Sequence, residues 1–325
     1  GASNFWSQIG NYGNFGAYLV MGLPSGMLIK KYGYKKTSLI ALIVGIVGIL
    51  VQWASGSFGF AVYLIGALIS GACMCMLNTV VNPMLNLLGG GGNSGNQLIQ
   101  IGGVFNSSAA VAVYIIMGAL IGDATKAKIS DATPALLIAL AIFVIAFIVI
   151  FFTKIQEPEQ EKDETSQMDL VKGALSYRHF VLGIIAIGAY GAVEVGPPTY
   201  ILQYLTAETN AATPGLAMDA GYCGTLGAFY FLMMLIGRFL GGVVGGKVST
   251  RTMISSVSAV AVALLALGIF LPSDVTVSCP GVDFANLALV WGNIPVGIFL
   301  FLLVGLCASV MWGGIFNLAT EGLGK

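Results

Sequence analysis

Long apolar runs separated by short polar turns make up most of this chain. A membrane-spanning helix needs roughly 20 mostly apolar residues to cross about 30 Å of hydrocarbon. Nine runs are of about this length, and they cover residues 10–30, 37–54, 58–88, 97–121, 134–153, 178–205, 220–246, 252–272 and 292–320. The pattern therefore predicts about nine transmembrane helices.

The composition supports a membrane protein. Hydrophobic residues make up 57% of the 325 residues and charged residues only 9%, whereas a soluble domain carries about 25% charged residues. We therefore expect an all-α integral membrane fold, with the lipid bilayer as its surroundings. The formal net charge is zero, so we expect no nucleic-acid partner.

The reactive side chains form no pattern typical of an enzyme or a metal site. The five cysteines show no metal-ligand spacing, and the single histidine, His179, has no cysteine near it in the sequence. The sequence also shows no nucleophile set and no paired catalytic carboxylates. We therefore expect no catalytic residues, no bound metal and no cofactor.

Basic residues predict the orientation of the spans. If the connecting loops alternate between the two sides, one side carries only Lys126 and Lys128. The other side carries Lys30, Lys31, Lys35, Lys36, Lys154, Lys162, Lys172, Arg178, Lys247, Arg251 and Lys325. By the positive-inside rule the richer side is cytoplasmic. The long hydrophilic run at 154–172 then lies in the cytoplasm, where we expect a solvated linker.

A weak internal repeat suggests two halves. A shift of 215 residues brings Gly22 onto Gly237 and Lys36 onto Arg251, which indicates duplication. We expect an N-terminal transmembrane bundle at 1–153 without its first helix, a cytoplasmic linker at 154–177, and a C-terminal bundle at 178–325 without its last two helices. The alternative is a protein of nine spans.

Polar residues inside the predicted spans are the candidate functional residues, because burying them in a membrane is costly. Glu194 is the one carboxylate deep in a span, and it could bind a proton or coordinate Na⁺. Amides offer both donors and acceptors, which suits sugar hydroxyls. The predicted substrate-binding amides are Asn78, Asn82, Gln100, Asn106 and Gln203. For each, hydrogen bonding between helices is the structural alternative.

The first basic turn, from Gly26 through Lys30 and Gly33 to Lys36, resembles the loop between helices two and three of the major facilitator superfamily. The family usually has Asp where this chain has Lys30. In that family the glycines let two helix ends pack closely, and the basic residues hold the cytoplasmic gate. The resemblance implies gating roles for Gly26, Lys30, Gly33 and Lys36.

Further segments resemble the fucose–proton symporter branch of this family. They are Asn78 to Pro83, Phe105-Asn106-Ser107, Val193-Glu194-Val195, Gly237-Arg238 and Glu321 to Gly324. The branch usually has Glu at the position of Asn78 and Gln at the position of Gly103. These departures leave the coupling ion and the sugar open. We interpret Arg238, toward the cytoplasmic end of its span, as a gating residue.

The resemblance implies a fold of two pseudo-symmetric helical bundles and a function in secondary active transport. We expect alternating-access transport of a monosaccharide, with H⁺ or Na⁺ coupling through Glu194. We also expect a monomer in the cell membrane, as a multi-pass protein of the bacterial inner membrane. The alternatives are a carrier for a nucleoside, drug or amino acid, and a membrane sensor that does not transport.

Overall fold

The computed structural model describes residues 9–121, 133–155, 157, 167–209, 214–283 and 288–323, and it is mainly helical. The helices are α1 Ile9–Phe58, α2 Phe60–Leu88, α3 Gly92–Ile121, α4 Thr133–Phe152, α5 Gln167–Leu175, α6 Arg178–Thr206, α7 Ala220–Gly245, α8 Thr250–Phe270 and α9 Val296–Thr320. Each of the nine predicted apolar runs lies mainly on one of these helices. Of the basic residues used to predict orientation, Lys126, Lys128, Lys162 and Lys325 lie outside the described residues.

Seven of the described helices are long and apolar enough to cross a membrane, judged by length and composition. The first of these stretches, Gly13–Phe58, contains most of the first predicted run and the whole of the second. A kink at Gly33 divides α1 into two arms, because Gly33 has φ 82° and ψ 175°. Only glycine adopts this region readily, so the sequence itself sets the break between the two runs.

The chain forms two compact units. The first unit contains residues 1–84 and 128–167, and the second contains residues 85–127 and 168–325. The predicted division into bundles at 1–153 and 178–325 was drawn from the repeat, and it stays a prediction.

In the first unit, the two arms of α1 pack with α2 and α4. The Gln52 side chain donates to the Ser70 hydroxyl at 3.2 Å and so joins the second arm of α1 to α2.

Within the predicted linker, the short helix α5 begins at Gln167, so this segment is not solvated coil throughout.

The core of the second unit lies between α6, α7 and α9. Leu205, Leu226, Tyr230, Met234 and Leu302 are almost fully buried there. These large side chains come from three helices, so their burial fixes the helices against one another. This packing positions the polar residues described below.

A β-hairpin joins α8 to α9. Strands β1 Thr276–Asp283 and β2 Ala288–Pro295 pair antiparallel, with Thr276 opposite Pro295. The Tyr222 hydroxyl lies 2.9 Å from the carbonyl oxygen of Cys279 and 3.1 Å from that of Gly292, and so ties α7 to both strands. The prediction that the last span begins at residue 292 was therefore wrong, because residues 292–295 belong to β2.

Candidate functional site

Two adjacent prolines open the backbone of α6 beside the one deep carboxylate. Proline has no N–H, so Pro197 and Pro198 leave the carbonyls of Val193 and Glu194 without their usual intrahelical donors. The Tyr230 hydroxyl on α7 donates to the Val193 carbonyl at 2.8 Å. This contact compensates for one of the two lost hydrogen bonds and fixes α7 against α6 next to Glu194.

Glu194 and Arg238 form an ion pair between α6 and α7. The Arg238 Nη2 lies 3.6 Å from the Glu194 Oε1. The remaining Arg238 donors reach the Gly103 carbonyl at 3.0 Å, the Ser107 hydroxyl at 2.8 Å and the Ser309 carbonyl at 3.4 Å. Groups from three other helices thus hold the guanidinium of Arg238 on α7. Such a set of partners is what a charge inside an apolar protein requires.

The two partners of the ion pair differ in exposure. The Arg238 side chain is 8% exposed, whereas the Glu194 side chain is 30% exposed. Backbone carbonyls and the Ser107 hydroxyl hold the guanidinium, whereas the carboxylate is partly accessible. Glu194 is therefore the more accessible member of the pair.

Tyr190 adds a third polar group to this ion pair. It lies one helical turn before Glu194 on α6, and its electrostatic neighbours are Glu194 and Arg238. The residue is 3% exposed, and its hydroxyl has no hydrogen-bond partner among the described residues. Sequence reasoning missed Tyr190. The sequence signal that could have indicated Tyr190 was its spacing of four residues from Glu194, which places both residues on one face of a helix.

Amide side chains on α3 face α7, α8 and α9. The Gln97 amide donates to the Gly242 carbonyl at 2.8 Å, and the Gln100 amide donates to the Val310 carbonyl at 3.0 Å. Asn317 on α9 donates to the Gly92 carbonyl at 2.9 Å. Gln100 is only 2% exposed, so the structure places this predicted substrate ligand in a contact between helices.

The other predicted amides of the second unit are more accessible. Asn106 is exposed on α3, one residue before Ser107. Gln203 is partly exposed near the end of α6, and its backbone carbonyl accepts from the N–H of Ala207. These two side chains are placed to meet a solute more readily than Gln100 is.

In the first unit, Asn78 and Asn82 share one face of α2. Asn78 is exposed, and its amide donates to the Tyr18 hydroxyl at 2.7 Å. Asn82 donates to the backbone carbonyl of Asn78 at 3.0 Å. The hydroxyl of Tyr18 therefore belongs to the same polar surface, which sequence reasoning did not include.

The predicted gating turn contains a contact that the sequence did not reveal. The Glu157 carboxylate accepts from the backbone N–H groups of Tyr34 and Lys35, each at 3.1 Å. The Lys35 ammonium donates to the carbonyls of Phe151 and Thr153 at the end of α4, at 3.0 and 2.8 Å. The turn after Gly33 is thus fastened to the end of α4.

The predicted gating residues occupy different positions around this turn. Gly33 is buried against Glu157, and Lys36 is exposed. Gly26 and Lys30 are partly exposed on the first arm of α1. Lys35, which lies between Gly33 and Lys36 in this turn, donates to the carbonyls at the end of α4.

Among the described residues, no group of three or more His, Cys, Asp or Glu side chains could hold a metal ion. The donors around Glu194 come from a guanidinium, which carries positive charge and accepts no hydrogen bond.

The long apolar helices and the ion pair between two of them define a multi-pass helical membrane protein. The sequence matches the Major Facilitator Superfamily over residues 10–325. The chain belongs to this family.

Named relatives are transporters. The glucose/galactose transporter of Brucella abortus biovar 1 (strain 9-941) is 29% identical over 320 residues, which cover 96% of this chain and 70% of that protein. A putative glucose/galactose transporter of Helicobacter pylori (strain J99) is 27% identical over 325 residues, covering 95% and 71%. The L-fucose-proton symporter of Escherichia coli (strain K12) is 22% identical over 295 residues, covering 82% and 65%.

A solved structure shares the fold. The crystal structure of the Major Facilitator Superfamily transporter FucP in the outward conformation has a TM-score of 0.75 and 20% sequence identity. The similarity covers 100% of this chain and 78% of that one. The expected all-α membrane fold of the major-facilitator type is therefore confirmed.

Proposed function

We propose that this protein is a secondary active transporter that moves a monosaccharide across the bacterial inner membrane by alternating access. The observation that carries the proposal is the Glu194–Arg238 ion pair, held by four helices in a chain whose family consists of transporters. The names of the relatives support glucose, galactose or fucose as the first sugars to test.

A neutral polar solute fits the charges of the site. Glu194 balances the charge of Arg238 in the second unit. The predicted binding residues are uncharged amides in each unit taken by itself, Asn106 and Gln203 in the second and Asn78 and Asn82 in the first. Amides satisfy sugar hydroxyls as both donors and acceptors. Gln100 is left out of this set, because its buried amide already donates to Val310.

Aromatic side chains on α9 add an apolar surface. The rings of Trp312 and Phe316 stack with centroids 5.4 Å apart and an interplanar angle of 5°. Binding sites for small molecules combine aromatic surface with a few polar groups. We propose that the C–H face of the sugar packs on Trp312.

Coupling to H⁺ is proposed in preference to Na⁺. Glu194 can exchange its interaction with Arg238 for a bound proton, because its side chain is partly exposed and the 3.6 Å contact is longer than a charge-assisted hydrogen bond. A sodium ion at the same carboxylate would lie beside the positive guanidinium. Coulomb repulsion at this distance opposes that occupant.

The experiment is sugar uptake into proteoliposomes that contain the full-length protein. We expect labelled glucose, galactose or fucose to accumulate when the outside is acid, and a protonophore to abolish the accumulation. A sodium gradient at equal pH on both sides should give no accumulation.

The outcomes distinguish the alternatives. Accumulation driven by sodium alone would replace H⁺ with Na⁺ as the coupling ion. Transport of a nucleoside, drug or amino acid, with none of the three sugars, would overturn the proposed substrate. Saturable sugar binding without uptake would identify a sensor.

A further inference from the structure

We infer that Tyr190 is a positioning residue for Glu194, whose hydroxyl becomes the hydrogen-bond partner of the Glu194 carboxyl group when that group is protonated and released from Arg238. This inference rests on the proposed function, because it assigns Tyr190 to the coupling site. It adds a residue that the motifs of the chain did not indicate. The argument starts from the burial of Tyr190.

The Tyr190 hydroxyl is in an unusual state for a buried group. The residue is 3% exposed, and its hydroxyl has no hydrogen-bond partner among the described residues. Buried polar groups in proteins nearly always have partners, since an unmade hydrogen bond is costly. We therefore expect this buried hydroxyl to gain a hydrogen-bond partner in another conformation or protonation state of the site.

The placement of Tyr190 identifies that partner. Residues four apart on a helix lie on the same face, so Tyr190 and Glu194 are neighbours on α6. Glu194 and Arg238 are both electrostatic neighbours of the Tyr190 hydroxyl. Arg238 has no acceptor atom. The Glu194 carboxyl group, in contrast, can accept a hydrogen bond from Tyr190 when it is ionised and donate one when it is protonated.

The charged and titratable groups around Glu194 come from three helices. They are Tyr190 on α6 itself, Arg238 and Tyr230 on α7, and Cys307 on α9 beside Tyr230. The neighbouring groups on α3 are the Gly103 carbonyl and the Ser107 hydroxyl, and both already accept from Arg238. Tyr230 is bonded to Val193. Tyr190 is therefore the hydroxyl that is available to Glu194.

A tyrosine hydroxyl suits both protonation states of a carboxyl group. It donates its own proton to an ionised carboxylate, and its oxygen accepts the proton of a neutral carboxylic acid. The proton that Glu194 gains therefore has a partner even when the attraction to Arg238 is lost. This hydrogen bond is absent while Glu194 is paired with Arg238, so it contributes only after the ion pair has opened.

The test compares Tyr190→Phe with Tyr230→Phe. Both tyrosines are buried beside Glu194, and each variant removes one hydroxyl. We expect Tyr190→Phe to move the pH midpoint of acid-driven sugar uptake downward by about one unit, because the protonated site loses a hydrogen bond that the ion-paired site does not make. The Tm of this variant should not fall, because its hydroxyl had no partner.

The matched control, Tyr230→Phe, should lower the Tm and leave the pH midpoint of uptake unchanged. Tyr230→Phe leaves the Val193 carbonyl without a donor, since residue 197 is proline. We expect a lower Tm and an unchanged pH midpoint. If Tyr190→Phe gives too little uptake to measure, the pH dependence of sugar affinity, measured by calorimetry, replaces the uptake midpoint.

The results separate the inference from the proposed function. If the wild-type protein shows no acid-driven uptake, the proposed coupling fails. If the wild-type protein shows it and Tyr190→Phe has the same midpoint, the role of Tyr190 is overturned. A fall in Tm equal to that of Tyr230→Phe, without a shift in midpoint, would also overturn it.

Discussion

Gly103 lies directly against the side chain of Arg238. A Cβ atom at residue 103 would come 2.9 Å from the Arg238 Cδ and 3.2 Å from its Nε, and the Gly103 carbonyl accepts from the same guanidinium. The close approach of α3 to α7 therefore depends on the missing side chain. Glycine at this position lets Arg238 reach Glu194 while the Arg238 guanidinium stays hydrogen-bonded to α3.

We predict that Gly103→Ala displaces Arg238 and strongly reduces acid-driven uptake. The Arg238 side chain is 8% exposed and bonded to three further groups, so it has little room to move. The control is Gly224→Ala on α7, where a Cβ would meet nothing within 4 Å. Uptake by Gly103→Ala equal to that of Gly224→Ala would show that the close approach is not needed.

The turn at Gly33 provides a second prediction. We expect Gly33→Ala to lower stability by about 1–3 kcal/mol, the usual cost of a non-glycine residue in a strained backbone region. A Cβ at this position would also collide with the Glu157 carboxylate. The variant therefore loses the hydrogen bonds between this turn and Glu157, and its Tm in a thermal melt should be lower than that of the wild type.

Gly26→Ala is the matched control for this turn. It lies in the same motif, and a Cβ there would meet nothing within 4 Å. We expect an unchanged Tm and, if any change is seen, a small gain in stability from the better helix propensity of alanine. An equal Tm for Gly33→Ala and Gly26→Ala would contradict the role assigned to the Gly33 backbone.

Gln100 and Asn106 are expected to separate stability from sugar binding. Gln100→Ala removes a buried amide that donates to Val310, and should cost about 1 kcal/mol or more with little change in KM. Asn106→Ala changes an exposed side chain, and should raise KM with little change in Tm. Sugar titration and thermal melts on the same preparations measure both. A raised KM with normal Tm in Gln100→Ala would restore it to the binding site.

The helices could be predicted from sequence because the thickness of the bilayer fixes the length of each apolar run. The position of Glu194 inside a long apolar helix could be predicted, because it interrupts an apolar run of the sequence. Its pairing with Arg238 could not, since the two residues lie on different helices and meet only through packing. The contact between Lys35 and the end of α4 was hidden for the same reason.

The β-hairpin shows a different limit of sequence analysis. Pro280 and Gly281 lie within β1, and both residue types are disfavoured in strands. The polar stretch between two apolar runs therefore indicated only a loop. The strands are specified by their pairing and by the contacts of the Tyr222 hydroxyl, which no local pattern reveals.

The most direct measurement of the central claim compares Glu194→Gln with Glu208→Gln in proteoliposomes. Glu208 is exposed just after α6, so its variant controls for the loss of a carboxylate. We predict that Glu194→Gln still exchanges labelled for unlabelled sugar at equal pH, but no longer accumulates sugar when the outside is acid. Acid-driven accumulation by Glu194→Gln at the level of Glu208→Gln would contradict the account.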